Sequence, residues 1–365
     1  MKIGVFSNAW AADIGGGVAY IAAFAHVLRE FGAVDLHFRG RITAQEIANL
    51  YGIDVQGTTI CSVATQAPWG ARYFPSAKYL VSDRKYDIVV RQTMSVPGPT
   101  LCPRAVLVTE FPAQRQITWR ERQYLRTYRA IVANSQFTAD WIRHRWRRDA
   151  LVAHPVVRQI RPLAKTSSIV ALGRFTGANR SKHQVELVAA FKQLLDRGVT
   201  GWELHLCGVG ADPRYVERVR AQAQGLPVFL HLDVPRAELD AIVGAATIFW
   251  HATGVDFAEH ADPGLMEHFG ISTAEAMSAG CVPVVIGKGG QREVVGPDLL
   301  AWTWQDWSEC VAKTWQLIEQ PALCAALAGV ATRQGAAFAF PCFADRLRQI
   351  MAPLLPETKR TGGSA

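Results

Sequence analysis

Glu267-His-Phe-Gly-Ile-Ser-Thr-Ala-Glu275 runs directly into Ala-Met-Ser-Ala-Gly280-Cys-Val-Pro283-Val-Val. Its two glutamates stand eight positions apart, and the Phe269-Gly270-Ile271 turn between them opens a predicted helix. Ser272 or Thr273 is expected to cap that helix and Gly280 to end it, with residues 282–286 following as a buried parallel strand. The first backbone N–H groups of such a helix have no partner within it, so they form a site for an anion such as phosphate. Glu267 is placed beside that anion, and Glu275, about one turn into the helix, within reach of a ribose or sugar hydroxyl. That combination reads as a nucleotide-sugar site rather than a carboxylate pair for metal or proton work. The plainer alternative is a buried helix with two incidental surface glutamates.

Outward from this stretch, apolar strands alternate with amphipathic helices, the pattern of doubly wound parallel sheets. Residues 2–6, 87–90, 105–108 and 130–132 read as strands of one half. Residues 168–172, 203–206, 228–230, 247–250 and 282–286 read as strands of the other. Between the halves, His154-Pro-Val-Val-Arg-Gln-Ile-Arg-Pro162-Leu-Ala-Lys-Thr-Ser has two prolines and no clear periodicity. The expected division is a first domain over 1–154, a linker over 155–166, a second domain over 167–340 and a disordered tail over 356–365. At 365 residues the chain suits two cores better than one. Open α/β sheets bind ligands at the C-terminal ends of their strands.

The E-x7-E spacing, with Phe-Gly after the first glutamate and E-A-M-x-A-G-x-P-V-V after it, resembles the retaining glycosyltransferases of family 4. That resemblance implies the α/β GT-B fold, two Rossmann-like domains facing across a cleft, with a last helix (341–355) crossing back to the first domain. Gly173-Arg174-Phe-Thr-Gly-Ala-Asn-Arg-Ser-Lys182 is similar to the family segment whose Arg and Lys grip the donor diphosphate. Cations there stabilise a leaving group that gains charge as the glycosidic bond breaks, and Arg180 competes for the same role. Gly208 in His205-Leu-Cys-Gly-Val-Gly resembles the turn beside the nucleobase. Gly16 and Gly17, in a loop after the first strand that also holds Asp13, are implied to cover the donor phosphates, with a helix opening near Ala19. Asn134-Ser135 matches the family's A-N-S segment, and Gly289-Gly290-Gln291-Arg-Glu293 a further one. Trp250-His251 stands where many relatives have Pro-Ser, a form similar to mannosyltransferases that build lipid-linked glycans. Relatives often carry a histidine where this chain reads Val108-Thr109-Glu110-Phe111-Pro112, so Glu110 is a candidate for holding a sugar hydroxyl or taking up the acceptor proton.

The resemblance therefore implies catalytic roles for Glu267, Arg174 and Lys182, and Glu110 joins them as the candidate at the position where the chain departs from the family. The donor contacts fall to Gly16, Gly17, Gly173, Arg174, Lys182, Gly208, His251, Glu267, Phe269, Gly270, Ile271 and Glu275. No cofactor and no metal are expected, since the chain has no Asp-x-Asp and Asp256, Glu259, His260 and Asp262 form no known ligand pattern.

The net charge of +8 is uneven: residues 100–150 carry ten arginines against four acidic residues, with Trp119, Tyr124, Tyr128, Trp141 and Trp146 interleaved. Such a face suits an anionic membrane surface, or is a solvated face with its aromatics packed inward. Nucleic acid is drawn by the same charge but is not the expected partner. No run reaches the roughly 18 apolar residues a spanning helix needs, and the short apolar N-terminus is a poor signal peptide. Seven scattered cysteines without a C-x-x-C pair suggest free thiols in a reducing compartment. The expected address is the cytoplasm, peripheral to the inner face of the membrane.

These readings lead to a retaining, metal-independent glycosyltransferase. It moves a hexose from GDP-mannose or a UDP-hexose to a hydroxyl of a lipid-linked or polysaccharide acceptor. The alternatives are a GT-B nucleotide-sugar epimerase and a non-catalytic protein that binds through its basic surface.

Overall fold

The structure, a computed structural model, describes residues 1–10, 15–63, 83–113, 115–177 and 181–356. Asp13, Arg180 and residues 357–365, the bulk of the tail expected to be disordered from 356, lie outside the described residues. The chain divides into two compact units: Met1–Arg158 together with the segment from Phe340 onward, and Gln159–Ala339.

The first unit is built on seven strands: β1 (Lys2–Trp10), β2 (Ala33–Arg39), β3 (Thr59–Val63), β4 (Ile88–Gln92), β5 (Ala105–Thr109), β6 (Ala130–Ala133) and β7 (Leu151–Val152). They form one parallel sheet in the order β3-β2-β1-β4-β5-β6-β7. Helices cover both faces, which is why β4 and β5 read as continuous apolar runs. Val106 and Val108 point into a core shared with helix Gly16–Leu28, whereas Leu107 and Ala105 join Ile131, Ile142 and Trp146 on the other side. The pattern reading omitted β2, β3 and β7. In β2, buried Val34, Leu36 and Phe38 alternate with Asp35, His37 and Arg39, a period-2 signal that was present but not apolar throughout.

Helix Phe340–Met351 closes this unit although it lies far along the chain. Phe343 meets Phe24 at 5.5 Å and Tyr20 at 6.1 Å, both edge-on. The Arg348 guanidinium donates to both carboxylate oxygens of Glu30 at 2.7 and 2.8 Å.

The second unit holds β8 (Ser168–Leu172), β9 (Glu203–Gly208), β10 (Val228–Leu232), β11 (Ile248–His251) and β12 (Val282–Val285), all parallel in the order β10-β9-β8-β11-β12. Within the stretch expected as a linker, the chain is fixed to this unit from Gln159 on. Ile160 N–H donates to Ser278 Oγ, and Leu163 N–H to Gly244 O, each at 3.0 Å. Lys165 Nζ donates to the carbonyls of Gly244, Ala246 and Ala279 at 3.0, 2.7 and 2.6 Å, closing the C-terminal ends of helices Arg236–Ala245 and Ile271–Ser278. Prolines and missing periodicity do not reveal such anchoring, because the acceptors lie 79 to 114 positions away. All seven cysteines are free. Among the described residues no single helix is long and apolar enough to cross a membrane.

Leu347 is fully buried in the first unit's core. Leu347→Ala should therefore lower unfolding stability by about 2–5 kcal/mol, read as a lower urea midpoint. An unchanged midpoint would mean that the helix does not support that core.

Candidate functional site

In the second unit the strand order reverses between β8 and β11, the switch point where open α/β sheets bind ligands at the carboxyl ends of their strands. Gly173 leaves β8 there and His251 ends β11. A Cβ on Gly173 would overlap the stem of Lys182, and one on Gly208 would overlap the carbonyl of Gly173. Gly173 thus clears the path by which Lys182 crosses the strand ends, and Gly208 lets the Gly173 backbone pass close to β9. Lys182 Nζ donates to Glu267 Oε2 at 2.7 Å and to His251 Nε2 at 3.2 Å, and Nε2 lies 3.3 Å from the same carboxylate oxygen.

This triad is partly sheltered: the side chains of Lys182 and Glu267 are 23% and 19% exposed, that of His251 1%. Burial, reinforced by the Lys182 charge and opposed by Glu267, pushes the His251 imidazole down to about 4. The ring is therefore neutral near pH 7. Nε2 faces both the Lys182 ammonium and the Glu267 carboxylate, whereas Nδ1 is buried with no hydrogen-bond partner.

The glutamate motif has the expected helix, Ile271–Ser278, but not the expected cap. Gly270 occupies the N-cap at φ 116° with no side chain closing the turn, so neither Ser272 nor Thr273 caps it. Only glycine adopts that φ readily, and a Cβ there would press on the Gln291 side chain at 3.0 Å. The first-turn amides from Ile271 therefore remain available to an anion. Gly280, at φ 78°, follows the end of the helix as read. Phe269 buries its ring against Phe338 at 5.2 Å. Gly289 and Gly290 lie against the backbone of residues 267–269, and Gly290 N–H donates to Glu267 O at 2.8 Å. Gln291 is fully buried with neither amide atom paired, and Thr273 Oγ1 is likewise unpaired.

Glu275 is buried, and its Oε1 accepts from Arg236 at 2.8 Å, while Arg236 Nε donates to Asp240 at 2.7 Å. Arg236 went unnoticed because 39 positions separate it from its partner. Arg174 is exposed and, among the described residues, makes no ion pair, so Lys182 is the cation that the fold brings to Glu267.

The first unit gathers its own polar cluster at its switch point between β1 and β4. Gln92 Nε2 donates to Glu110 Oε1 at 2.8 Å and to Gly17 O at 2.9 Å, and Ser7 Oγ donates to Gln92 Oε1 at 2.6 Å. A Cβ on Gly17 would fall 2.5 Å from Glu110 Oε1, so this glycine makes room for the carboxylate. Helix Gly16–Leu28 opens at Gly16 rather than near Ala19, which brings Gly17 into its first turn. Ser135 caps helix Gln136–Trp146 by accepting from Thr138 N–H at 3.1 Å, a structural role for the A-N-S segment. Among the described residues no group of three His, Cys, Asp or Glu side chains is arranged to hold a metal ion.

The neutral His251 has a consequence for stability. The unfolded chain takes up a proton at this residue near pH 6.5 and the folded chain only near 4, so stability falls as pH drops through that window. His251→Gln should flatten this part of the profile, as read by urea midpoints at several pH values. An unchanged slope would assign the loss to other groups.

Residues 158–332 match the family described as glycosyl transferases group 1, a segment that holds Lys182, His251, Glu267 and Glu275. The chain is also similar to a GDP-mannose:cellobiosyl-diphosphopolyprenol alpha-mannosyltransferase of Komagataeibacter xylinus, 29% identical over 195 residues. That alignment covers 48% of this chain and 46% of the relative, so it spans about half the length of each. Among solved structures, a glycosyltransferase from Rickettsia africae ESF-5 superposes with a TM-score of 0.73 at 13% identity, over 98% of this chain and 99% of that one. WaaG, a glycosyltransferase involved in lipopolysaccharide biosynthesis, superposes with a TM-score of 0.64 at 12% identity over 100% of both chains. The chain has the GT-B fold of these neighbours, and its residues 158–332, just under half of the chain, match the glycosyl transferases group 1 family.

Proposed function

We propose that the protein is a retaining hexosyltransferase that moves a sugar from a nucleotide diphosphate donor to an acceptor hydroxyl without a metal. The observation that carries this reading is the Lys182–Glu267–His251 triad beside the uncapped helix end at Gly270. As the glycosidic bond breaks, charge grows on the diphosphate. Lys182 and the amides from Ile271 answer that charge more strongly in the transition state than in the ground state. Glu267 holds hydroxyls of the donor sugar, Glu275 with Arg236 faces the ribose, and the exposed Arg174 is the second cation. In a retaining front-face route the leaving phosphate oxygen takes the acceptor proton. Glu110, fixed by Gln92, binds the acceptor. The Komagataeibacter relative favours GDP-mannose as donor and a diphosphate-linked lipid as acceptor.

The test is turnover with GDP-mannose and UDP-hexoses, with and without EDTA, followed by assignment of the product anomer. GDP-mannose should be used in the presence of EDTA, with an α-linked product. Glu267→Gln should lower kcat far more than it weakens donor binding. Lys182→Ala should lose a charge-assisted hydrogen bond worth about 1.5–3 kcal/mol, a tenfold to hundredfold drop in kcat/KM. Unchanged kinetics in both variants would remove the assignment, and loss of activity in EDTA that magnesium restores would remove its metal independence.

The partner surface we favour is an anionic membrane at the cytoplasmic face. Trp119 is 72% exposed at the start of helix Trp119–Arg126, next to exposed Arg120, Arg122 and Arg126. This patch is smaller than the composition suggests. Arg115 pairs with Glu121 and Arg143 with Asp149, Arg145 stacks on Phe111 and Trp141, and Arg148 donates to the carbonyls of Leu125 and Tyr128. Vesicles with anionic lipid should bind at low salt and release at high salt, and Trp119→Ala with Arg120→Gln should weaken that binding. Equal binding to neutral vesicles, or none to either, would favour a soluble acceptor.

A further inference from the structure

Among the described residues only Arg147, His183 and Asp233 are non-glycines with positive φ. His183 is the one that adjoins the site: it directly follows Lys182 and takes φ 57°, ψ 37° at the N-cap of helix Gln184–Asp196. Its side chain makes no capping hydrogen bond. A left-handed turn at a ring-bearing residue costs stability that glycine would not. The turn sets the direction in which the chain presents Lys182, and glycine would supply the same turn without strain. The imidazole is therefore kept for something glycine lacks.

Its surroundings say what. The ring is buried, and Nδ1 lies 3.6 Å from Glu186 Oε2 and 3.7 Å from Asp256 Oδ2. Trp307 closes the site edge-on, its ring centroid 6.4 Å away. Glu186 is on the helix that His183 opens, but Asp256 belongs to the excursion 252–262 between His251 and Glu267. That excursion is itself held in shape. Lys288 Nζ donates to the carbonyls of Gly254, Val255 and Phe257 at 3.2, 2.8 and 2.9 Å, and Glu259 accepts from Gly289 N–H and from Arg292 at 2.7 Å each. His183 thus joins the turn that carries Lys182 to the loop that leads into Glu267.

We infer that His183 is a positioning residue, tying the Lys182 turn to the 252–262 loop so that ammonium and carboxylate keep their register during turnover. This rests on the role proposed for Lys182 and Glu267. The test is a double-mutant cycle of His183→Gly and Asp256→Ala, with urea unfolding, kcat and donor KM measured for each, and Lys182→Ala alongside. His183→Gly should remain folded, with the relieved strain offsetting part of the lost ring contacts, yet lose about tenfold in kcat with little change in KM. Asp256→Ala should lose part of the same factor, and the double variant no more than His183→Gly alone. Should His183→Gly prove unstable, His183→Asn keeps a residue that tolerates the left-handed turn but lacks the ring, and should show the same kcat loss. Parental kcat in whichever of these two variants is folded, or losses that multiply in the double variant, would overturn the inference. An active Lys182→Ala would instead overturn the reading of the site, so the two failures are separable.

Discussion

The arrangement in the second unit turns on one ammonium shared by two acceptors. Lys182 reaches Glu267 and His251 together only because three conditions hold at once. Gly173 leaves the space its stem crosses, and Gly208 leaves room for the carbonyl of Gly173. The parallel order of β8 and β11 brings the loop after one strand beside the last residue of the other. Burial holds His251 neutral, so the ammonium meets an uncharged ring and not a second positive charge. A half-buried ion pair adds little net stability, since desolvation offsets the attraction. Its value lies in specificity: a cation is held where an anion is to be bound, and its counter-charge is a group able to hold hydroxyls.

The glycines of this chain act mostly through the atoms they omit. Gly17, Gly173, Gly208, Gly289 and Gly290 each sit where a side chain would strike a functional residue or its backbone. In the sequence they read as parts of family segments around the donor. In the fold they are tightly packed, and the freedom they supply belongs to Glu110, Lys182 and the 267–269 backbone.

Local patterns carried the parallel sheets, the order of the elements and the E-x7-E segment, because apolar runs and motif spacing are written along the chain. Strands β2 and β3 escaped because Asp35, His37, Thr59 and Ser62 break the apolar run. The cap at Gly270 was assigned to Ser272 or Thr273 because hydroxyl residues usually fill that role, whereas the backbone here needs a φ only glycine takes easily. Pairings such as Glu275 with Arg236, Glu110 with Gln92 and Lys165 with three carbonyls join positions from 18 to 114 apart. No periodicity encodes them, since each exists only once the sheets have formed.

The order of units along the chain bears on how the protein is made. The second unit is continuous, while the first is interrupted by it and completed by helix Phe340–Met351. During vectorial synthesis the second unit can close while the first still shows the apolar face of Gly16–Leu28 to the solvent. A segment made before the second unit is therefore sealed only after it.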